Sequence, residues 1–319
     1  MISIALCTYN GSKYIAEQLN SLLSQTVQPD EIVLCDDASS DDTVNIAKDI
    51  MAKWNGKFKL IRNKNNMGYR LNFQAAISEC SGDIIFLCDQ DDVWKNDKIS
   101  IMKQAFFDNP KAMLIFHDTE LVDADLHILY DSFWKILNFN YQEFLKDNYN
   151  QLLEYDIVQG CACAFKKELF DYAQPFCKVA FHDEWLALTA VAKGEVIPVP
   201  KKLLLYRQHQ NVIGGLPLSF AQKLKKWYGS FYDAICEHLK NIERRRLIFS
   251  AYKDKVDTTI YSNNNFDFNE YLLFLDRRKK YIQYKNIKII KLIPTYFKFD
   301  MNMINALKNI IKDVMAMFI

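Results

Sequence analysis

Across its first 120 residues the chain changes period repeatedly: short runs rich in Ile, Val, Leu and Phe at 2–7, 31–36, 58–62, 83–88 and 113–117 alternate with amphipathic stretches at 12–25, 41–54, 69–80 and 96–108. Such runs predict short buried strands, and the stretches between them are long enough for helices. Strands joined by helices pair in parallel through right-handed crossovers. The order therefore predicts an α/β fold, a mainly parallel sheet with helices on both faces. No GxGxxG follows the first run, which argues against a dinucleotide-binding dehydrogenase.

Open parallel sheets bind ligands beyond the carboxyl ends of their strands. At those ends this chain places Thr8-Tyr9-Asn10-Gly11, then Asp36-Asp37-Ala38-Ser39, then Gly68-Tyr69-Arg70, then Asp89-Gln90-Asp91-Asp92 with Trp94 two residues on. One Asp-Asp or Asn-x-Gly is an ordinary turn signal. Four polar exits in succession gather at one sheet edge. Asp89, Asp91 and Asp92 repel one another, and a hard divalent cation, Mg²⁺ or Mn²⁺, would relieve that repulsion through oxygen ligands. The plainer alternative is an acidic turn capping the helix near Asn96.

Beyond residue 119 the pattern loosens. Residues 158–165 read as a strand and 166–173 as a helix. Phe181-His182-Asp183-Glu184-Trp185 opens an apolar helix at 186–192, where Asp183 is either its N-cap or a functional carboxylate. Two more strands are expected at 196–199 and 203–206, followed by Arg207-Gln208-His209. Eight cysteines lack CxxC spacing and read as reduced core thiols. No signal peptide and no membrane-spanning run is apparent, which predicts a cytoplasmic protein, soluble or held at a membrane surface.

Net charge of +1 hides an asymmetry: residues from Gln222 onward carry 19 Lys and Arg against 10 Asp and Glu, so the first 221 residues are net acidic. The basic tail interleaves cations with aromatic side chains. That pattern suits an anionic membrane face at the inner side of the cell membrane, or a homodimer contact. Motifs of the common nucleic-acid modules are absent.

The residues Thr8-Tyr9-Asn10-Gly11, Gln25-Thr26, Asp36-Asp37-Ala38-Ser39-Ser40-Asp41 and Asp89-Gln90-Asp91-Asp92-Val93-Trp94 together resemble the family-two nucleotide-sugar glycosyltransferases of GT-A fold. The similarity is nearest to the bacterial rhamnosyltransferase-like branch of surface polysaccharide biosynthesis, such as O-antigen or capsule. It is specific over about residues 1–120, weaker to 211, and absent from the tail. It implies a GT-A domain over 1–220, with a nucleotide-binding half (1–120) and an acceptor-binding half (121–220), and a basic helical region over 221–319.

Position by position, the resemblance implies that Thr8, Tyr9 and Asn10 line the base pocket and that Asp37, helped by Asp36, meets the pyrimidine. Gly68 and Arg70 would lie near the base or diphosphate. Asp89 and Asp91 match the DxD motif, with Gln90 and Asp92 beside them; Asp91 would hold the metal and Asp89 sit nearer the ribose. Asp183 matches the base of an inverting displacement. His182, Glu184, Trp185 and Trp94 would border the sugar or acceptor, and His209 is a further candidate ligand. His182 departs from the Glu-Asp common in relatives. The implied activity is metal-dependent transfer of a sugar from dTDP-rhamnose, or next a UDP-hexose, to a lipid-linked glycan. The alternative is a catalytically inactive protein that binds nucleotide sugars or scaffolds a glycan assembly complex. A nucleotidyltransferase would want an early glycine-rich phosphate loop, and Tyr9-Asn10-Gly11-Ser12-Lys13 offers little of one.

Overall fold

Strands β1 (Ile2–Thr8) and β2 (Glu31–Asp36) are buried at every position in the computed structural model, so both faces of the sheet are covered there. The structure describes residues 1–146, 152, 157–209, 231–256 and 268–283, together with 289, 292, 295, 296, 310 and 313. The chain forms two units: Met1–Phe176 with Phe181–Leu216, and Cys177–Ala180 with Pro217–Ile319.

In the first unit β3 (Lys57–Arg62), β2, β1 and β4 (Ile84–Cys88) lie side by side and parallel. The helices between them are α1 (Ile15–Leu23), α2 (Thr43–Met51) and α3 (Tyr69–Ser78). Strand β3 closes the sheet on one side, and its alternating pattern with Lys57, Lys59 and Arg62 suits an edge. After the short β5 (Val93–Trp94) come α4 (Lys98–Asp108), β6 (Ala112–Val122), β7 (Ile128–Tyr130), α5 (Phe133–Leu137) and α6 (Tyr141–Lys146). A 3-10 turn (Gly160–Ala162), β8 (Cys163–Lys166), α7 (Lys167–Ala173), α8 (His182–Lys193) and β9 (Glu195–Arg207) complete the unit. Apolar side chains of β1, β2, β4, α1, α4 and β6 form its core.

Three departures from the sequence reading have local causes. The segment expected as a strand over 158–165 begins as the 3-10 turn, because Gly160 N–H and Cys161 O are taken by the side chains of Asp183 and Lys98 instead of a ladder. The strand that follows, β8, is antiparallel to both neighbours, inserted between β4 and β6. The two strands expected at 196–199 and 203–206 are one, β9. Its register against β6 shifts between His117 and Asp118, which pair with Val199 and Lys202, so Pro200 falls in a bulge and costs no ladder bond. Helix α8 starts at His182, earlier than expected, since the Glu184 carboxylate accepts the Phe181 N–H at 3.1 Å.

The described cysteines form no disulfide, and all but Cys177 are buried. In the second unit, α9 (Phe231–Lys255) and α10 (Phe268–Gln283) pack Phe249 on Tyr271, ring centres 4.9 Å apart. Arg246 and Lys279 hold the Glu243 carboxylate down to about 2. Arg278 pairs with buried Asp313 at 2.5 Å, and Tyr296 donates to the same carboxylate. Three cations of the tail are therefore spent on internal pairs, while Arg277 and Lys280 are exposed. Tail cations at 223–226 and 285–288 lie outside the described residues. No helix among the described residues is long and apolar enough to cross a membrane.

Candidate active site

All four polar exits meet at the carboxyl edge of β1, β2 and β4. Asp36 is fully buried and accepts from Thr8 Oγ1 at 2.9 Å and Ser39 N at 2.9 Å, so it fastens the β1 and β2 exits to each other. Asp37 accepts from Met67 N and Gly68 N, both at 2.8 Å, and from Asn63 Nδ2 at 2.9 Å. These bonds anchor the loop that leads to Arg70, which is half-buried in the first turn of α3. Two residues here adopt left-handed backbone, Asn10 at φ 49° and Ala38 at φ 63°. Asn tolerates that region; Ala stays there only because the surrounding bonds dictate it.

Gln90 is placed otherwise than a ligand contact. Its amide clasps the backbone of Tyr9 both ways, accepting from Tyr9 N at 2.8 Å and donating to Tyr9 O at 3.0 Å. Gly11 makes room for it, because a Cβ there would fall 2.2 Å from Gln90 Oε1. The Tyr9 ring remains about half exposed over the site.

The DQDD loop divides into an inner and an outer part. Asp92 points inward, fully buried, with Oδ1 accepting Arg207 N–H at 3.0 Å. Burial and the adjacent Asp91 and Asp89 push it well above the carboxylate range, so it belongs to the interior and not to a nucleotide contact. Asp91 points outward, and its Oδ2 lies 2.7 Å from His209 Nε2. Asp89 lies between them, where burial, then Asp91 and Asp183, raise its carboxyl to about 7. A carboxyl raised this way by crowding is one that a cation would restore to the charged form.

The residues fit a divalent ion on the Asp91 side, where a carboxylate and an imidazole stand side by side, partly exposed. A second cluster, Asp89, Asp92 and Cys161, has ligand atoms within 4.8 Å of one another. It suits a cation poorly. The Cys161 thiol is pushed well up by burial, and the Lys98 ammonium donates to the Cys161 carbonyl.

Facing the loop from α8 is Asp183. Its Oδ2 accepts Gly160 N–H at 2.8 Å and its Oδ1 accepts Glu184 N–H at 2.9 Å. The two bonds fix the plane of the carboxylate. A Cβ on Gly160 would lie 3.3 Å from Asp183 Oδ2 and 3.0 Å from His182 Nε2, so the glycine lets both approach. His182 is buried, stacked on Phe73 with ring centres 4.2 Å apart, and neither ring nitrogen has a protein partner among the described residues. Burial pushes its pKa down, leaving a neutral imidazole. Glu184 is occupied capping α8.

Two residues expected to border the sugar or acceptor are core instead. Trp94 is 2% exposed, covered by Phe86 and by Lys98 Nζ, which lies 3.7 Å from its ring centre. Trp185 is 1% exposed and donates Nε1–H to Ala173 O at 2.8 Å. Large apolar area outweighed the ligand role at both positions.

Sequence reasoning passed over Arg207 and Lys98. Arg207 is 1% exposed; its Nε donates to Asp91 O at 2.6 Å, its guanidinium also bonds Ala124 O and Glu17, and it lies 4.6 Å from the Tyr14 ring centre. It thus holds the Asp91 carbonyl with its side chain and the Asp92 carboxylate with its own N–H. Its nearness to His209 in sequence was the available signal; Lys98 carried none.

The family model for "Glycosyl transferase family 2" matches residues 3–172, more than half of the chain, and ends before Asp183 and His209. An uncharacterised protein of Mycobacterium tuberculosis is 26% identical over 216 residues, 66% of this chain, and the chain spans only 60% of that relative's length. The dTDP-rhamnosyl transferase RfbG of Shigella flexneri is 28% identical over 240 residues, which are 70% of this chain and 80% of its own. Among solved structures, TarS of S. aureus in complex with UDP-GlcNAc superimposes with a TM-score of 0.56 at 14% identity, covering 98% of this chain and 89% of that one. The mannosyltransferase PcManGT of Pyrobaculum calidifontis, in complex with GDP-Man and Mn²⁺, gives 0.55 at 14% identity over 99% and 85%. With its polar strand exits gathered at one edge of a GT-A sheet, this chain belongs to glycosyl transferase family 2.

Proposed function

We propose that the protein is an inverting, metal-dependent glycosyltransferase that moves a sugar from a pyrimidine-diphosphate donor to a hydroxyl of a growing surface glycan. The observation that supports this reading is that Asp183, its carboxylate pinned by the N–H groups of Gly160 and Glu184, faces Asp89 across the site. One carboxylate group is thus aimed at the place where the other would meet a donor.

Asp183 accepts the proton of the acceptor hydroxyl as its oxygen bonds to the anomeric carbon. The bond from that carbon to the diphosphate oxygen breaks, and the nucleoside diphosphate leaves with the electron pair. A divalent cation, Mn²⁺ or Mg²⁺, supplies charge neutralisation for the departing diphosphate when bound. Asp91 and His209 are the residues to hold it. Tyr9 and the Asp37 loop border the base, and Arg70, in the first turn of α3, would meet the diphosphate.

dTDP-rhamnose is the first donor to test, because of the likeness to RfbG, with UDP-hexoses next. The acceptor is lipid-linked in this reading, and the exposed cations of the second unit then serve to hold the enzyme at an anionic leaflet. Flotation with anionic liposomes tests that part; a protein that stays in the soluble fraction at low salt, or dimerises through the tail, refutes it.

The decisive experiment is calorimetry with dTDP-rhamnose, UDP-glucose, UDP-galactose, UDP-N-acetylglucosamine and GDP-mannose, with and without Mn²⁺, on wild type and Asp91→Ala. Metal-dependent binding of one pyrimidine donor, lost in the variant, is expected. Absence of binding by every donor would favour a scaffold. Asp183→Asn should then keep donor affinity while turnover falls about 10²–10⁴-fold.

A further inference from the structure

Lys98 is the first residue of α4 and is fully buried, an unusual place for an ammonium. Among the described residues it forms no direct ion pair. Nζ donates to Cys161 O at 2.6 Å and caps the Trp94 ring at 3.7 Å. One carbonyl and one ring face replace its hydration poorly, and burial draws its pKa down to about 8. A methionine would fill similar space without that desolvation cost, so stability does not explain the amine. What it does that methionine does not is grip a carbonyl.

That carbonyl sits in the middle of the turn Gly160–Ala162, whose first N–H donates to Asp183 Oδ2 at 2.8 Å. The turn also meets the DQDD loop directly, since the Cys161 thiol and the Asp89 and Asp92 carboxylates lie within 4.8 Å of one another; the lysine adds a charged tie at the backbone of the same residue. Trp94, on which the ammonium rests, belongs to the strand that follows that loop, and its N–H is itself held by Ser21 Oγ at 3.0 Å. One buried cation therefore joins the loop bearing Asp89 and Asp91 to the turn that orients Asp183.

We propose that Lys98 is a positioning residue for the transfer step: its ammonium fixes the Cys161 carbonyl, and through the 160–162 turn it sets the Gly160 N–H that holds the Asp183 carboxylate opposite Asp89. This rests on the reading of Asp183 as the base.

The test compares Lys98→Met and Lys98→Arg with wild type by hydrogen exchange, nucleotide binding and donor turnover. In Lys98→Met, amide exchange over 160–163 should rise about tenfold or more while β1 and β4 stay protected, since opening is local. Affinity for the nucleoside diphosphate with Mn²⁺ should stay within about threefold, and kcat should fall by about 100-fold with donor KM unchanged, the size expected of a slightly misplaced group. Lys98→Arg, which keeps a donor for the carbonyl, should recover part of both effects. Adding Lys98→Met to Asp183→Asn should slow turnover no further.

Unchanged exchange at 160–163, a kcat equal to wild type, or a loss confined to nucleotide affinity would overturn the proposal. So would failure of both variants to fold, which marks a purely structural lysine. Wild-type turnover in Asp183→Asn instead sinks the base reading, while the exchange result still reports whether Lys98 holds the turn.

Discussion

Nε2 of His209 and Oδ2 of Asp91 stand 2.7 Å apart although 118 positions separate them in the chain. Arg207, two residues before the histidine, bonds Asp91 O and presents its own N–H to Asp92. The end of β9 is therefore built onto the DQDD loop, and any ion held by Asp91 is met by an imidazole already in place.

Replacing His209 by Ala should weaken Mn²⁺-dependent nucleotide binding by about 10–100-fold if the ring is a ligand of the ion. Calorimetry over a Mn²⁺ series checks this. An affinity equal to wild type would remove His209 from the site.

Arg207→Lys should be far from conservative. A lysine has one point of donation where the guanidinium serves Asp91 O, Ala124 O and Glu17 at once. The expected outcome is a loss of roughly 2–4 kcal/mol in denaturant unfolding, the range for a broken buried network, together with weaker Mn²⁺ binding. Full stability in the variant would show that the contacts are incidental.

Asp89 gives a pH signature. Its carboxyl titrates at about 7 in the folded protein against an ordinary 3.8. Between those values the folded chain keeps a proton that the unfolded chain has released, so this group's contribution to stability falls as pH rises from about 4 to 7 and is level above. Asp89→Asn removes that penalty, which is at most ~4 kcal/mol at 1.36 kcal/mol per pH unit. Thermal melts in chelator should show the variant more stable than wild type at pH 8, with the advantage shrinking towards pH 5. A difference independent of pH would contradict the assignment.

Gly11→Ala should lower both the melting temperature and donor affinity, because the new Cβ strikes the amide that clasps Tyr9. Combining it with Gln90→Ala removes the collision, so the double variant should melt higher than Gly11→Ala alone while donor affinity stays low. Additive losses in melting temperature would mean the clasp is not what the glycine protects.

Strand positions were legible wherever a run such as Ile32-Val33-Leu34-Cys35 is apolar on both faces, and the carboxyl-edge rule then located Asp37, Asp89 and Asp91 together. Direction was not legible for β8: four residues between a turn and a helix carry no sign of which way they run, and only pairing with β4 and β6 decides it. Pro200 falls in the gap expected between the strands at 196–199 and 203–206. It is accommodated because β9 bulges there and gains its second neighbour, β5, only at Leu204 and Leu205. Trp94 and Trp185 were misjudged for a common reason, since a tryptophan beside carboxylates has the same local sequence whether its ring faces a sugar or a core. Lys98 was hidden by its type, because nothing in the spacing of α4 says that a lysine in its first turn points inward.

The insertion of β8 between β4 and β6 also bears on how the chain is made. Residues 84–88 are synthesised long before residues 163–166, their partners on one side. While about 80 further residues emerge, at 5–20 per second, β4 is an apolar strand with one row of backbone groups unpaired, a state lasting on the order of seconds. An edge of that kind is a template for pairing with other chains. Nascent or truncated forms ending between 93 and 160 are consequently the species of this protein most exposed to aggregation and most in need of a chaperone, even though they contain the whole of the DQDD loop.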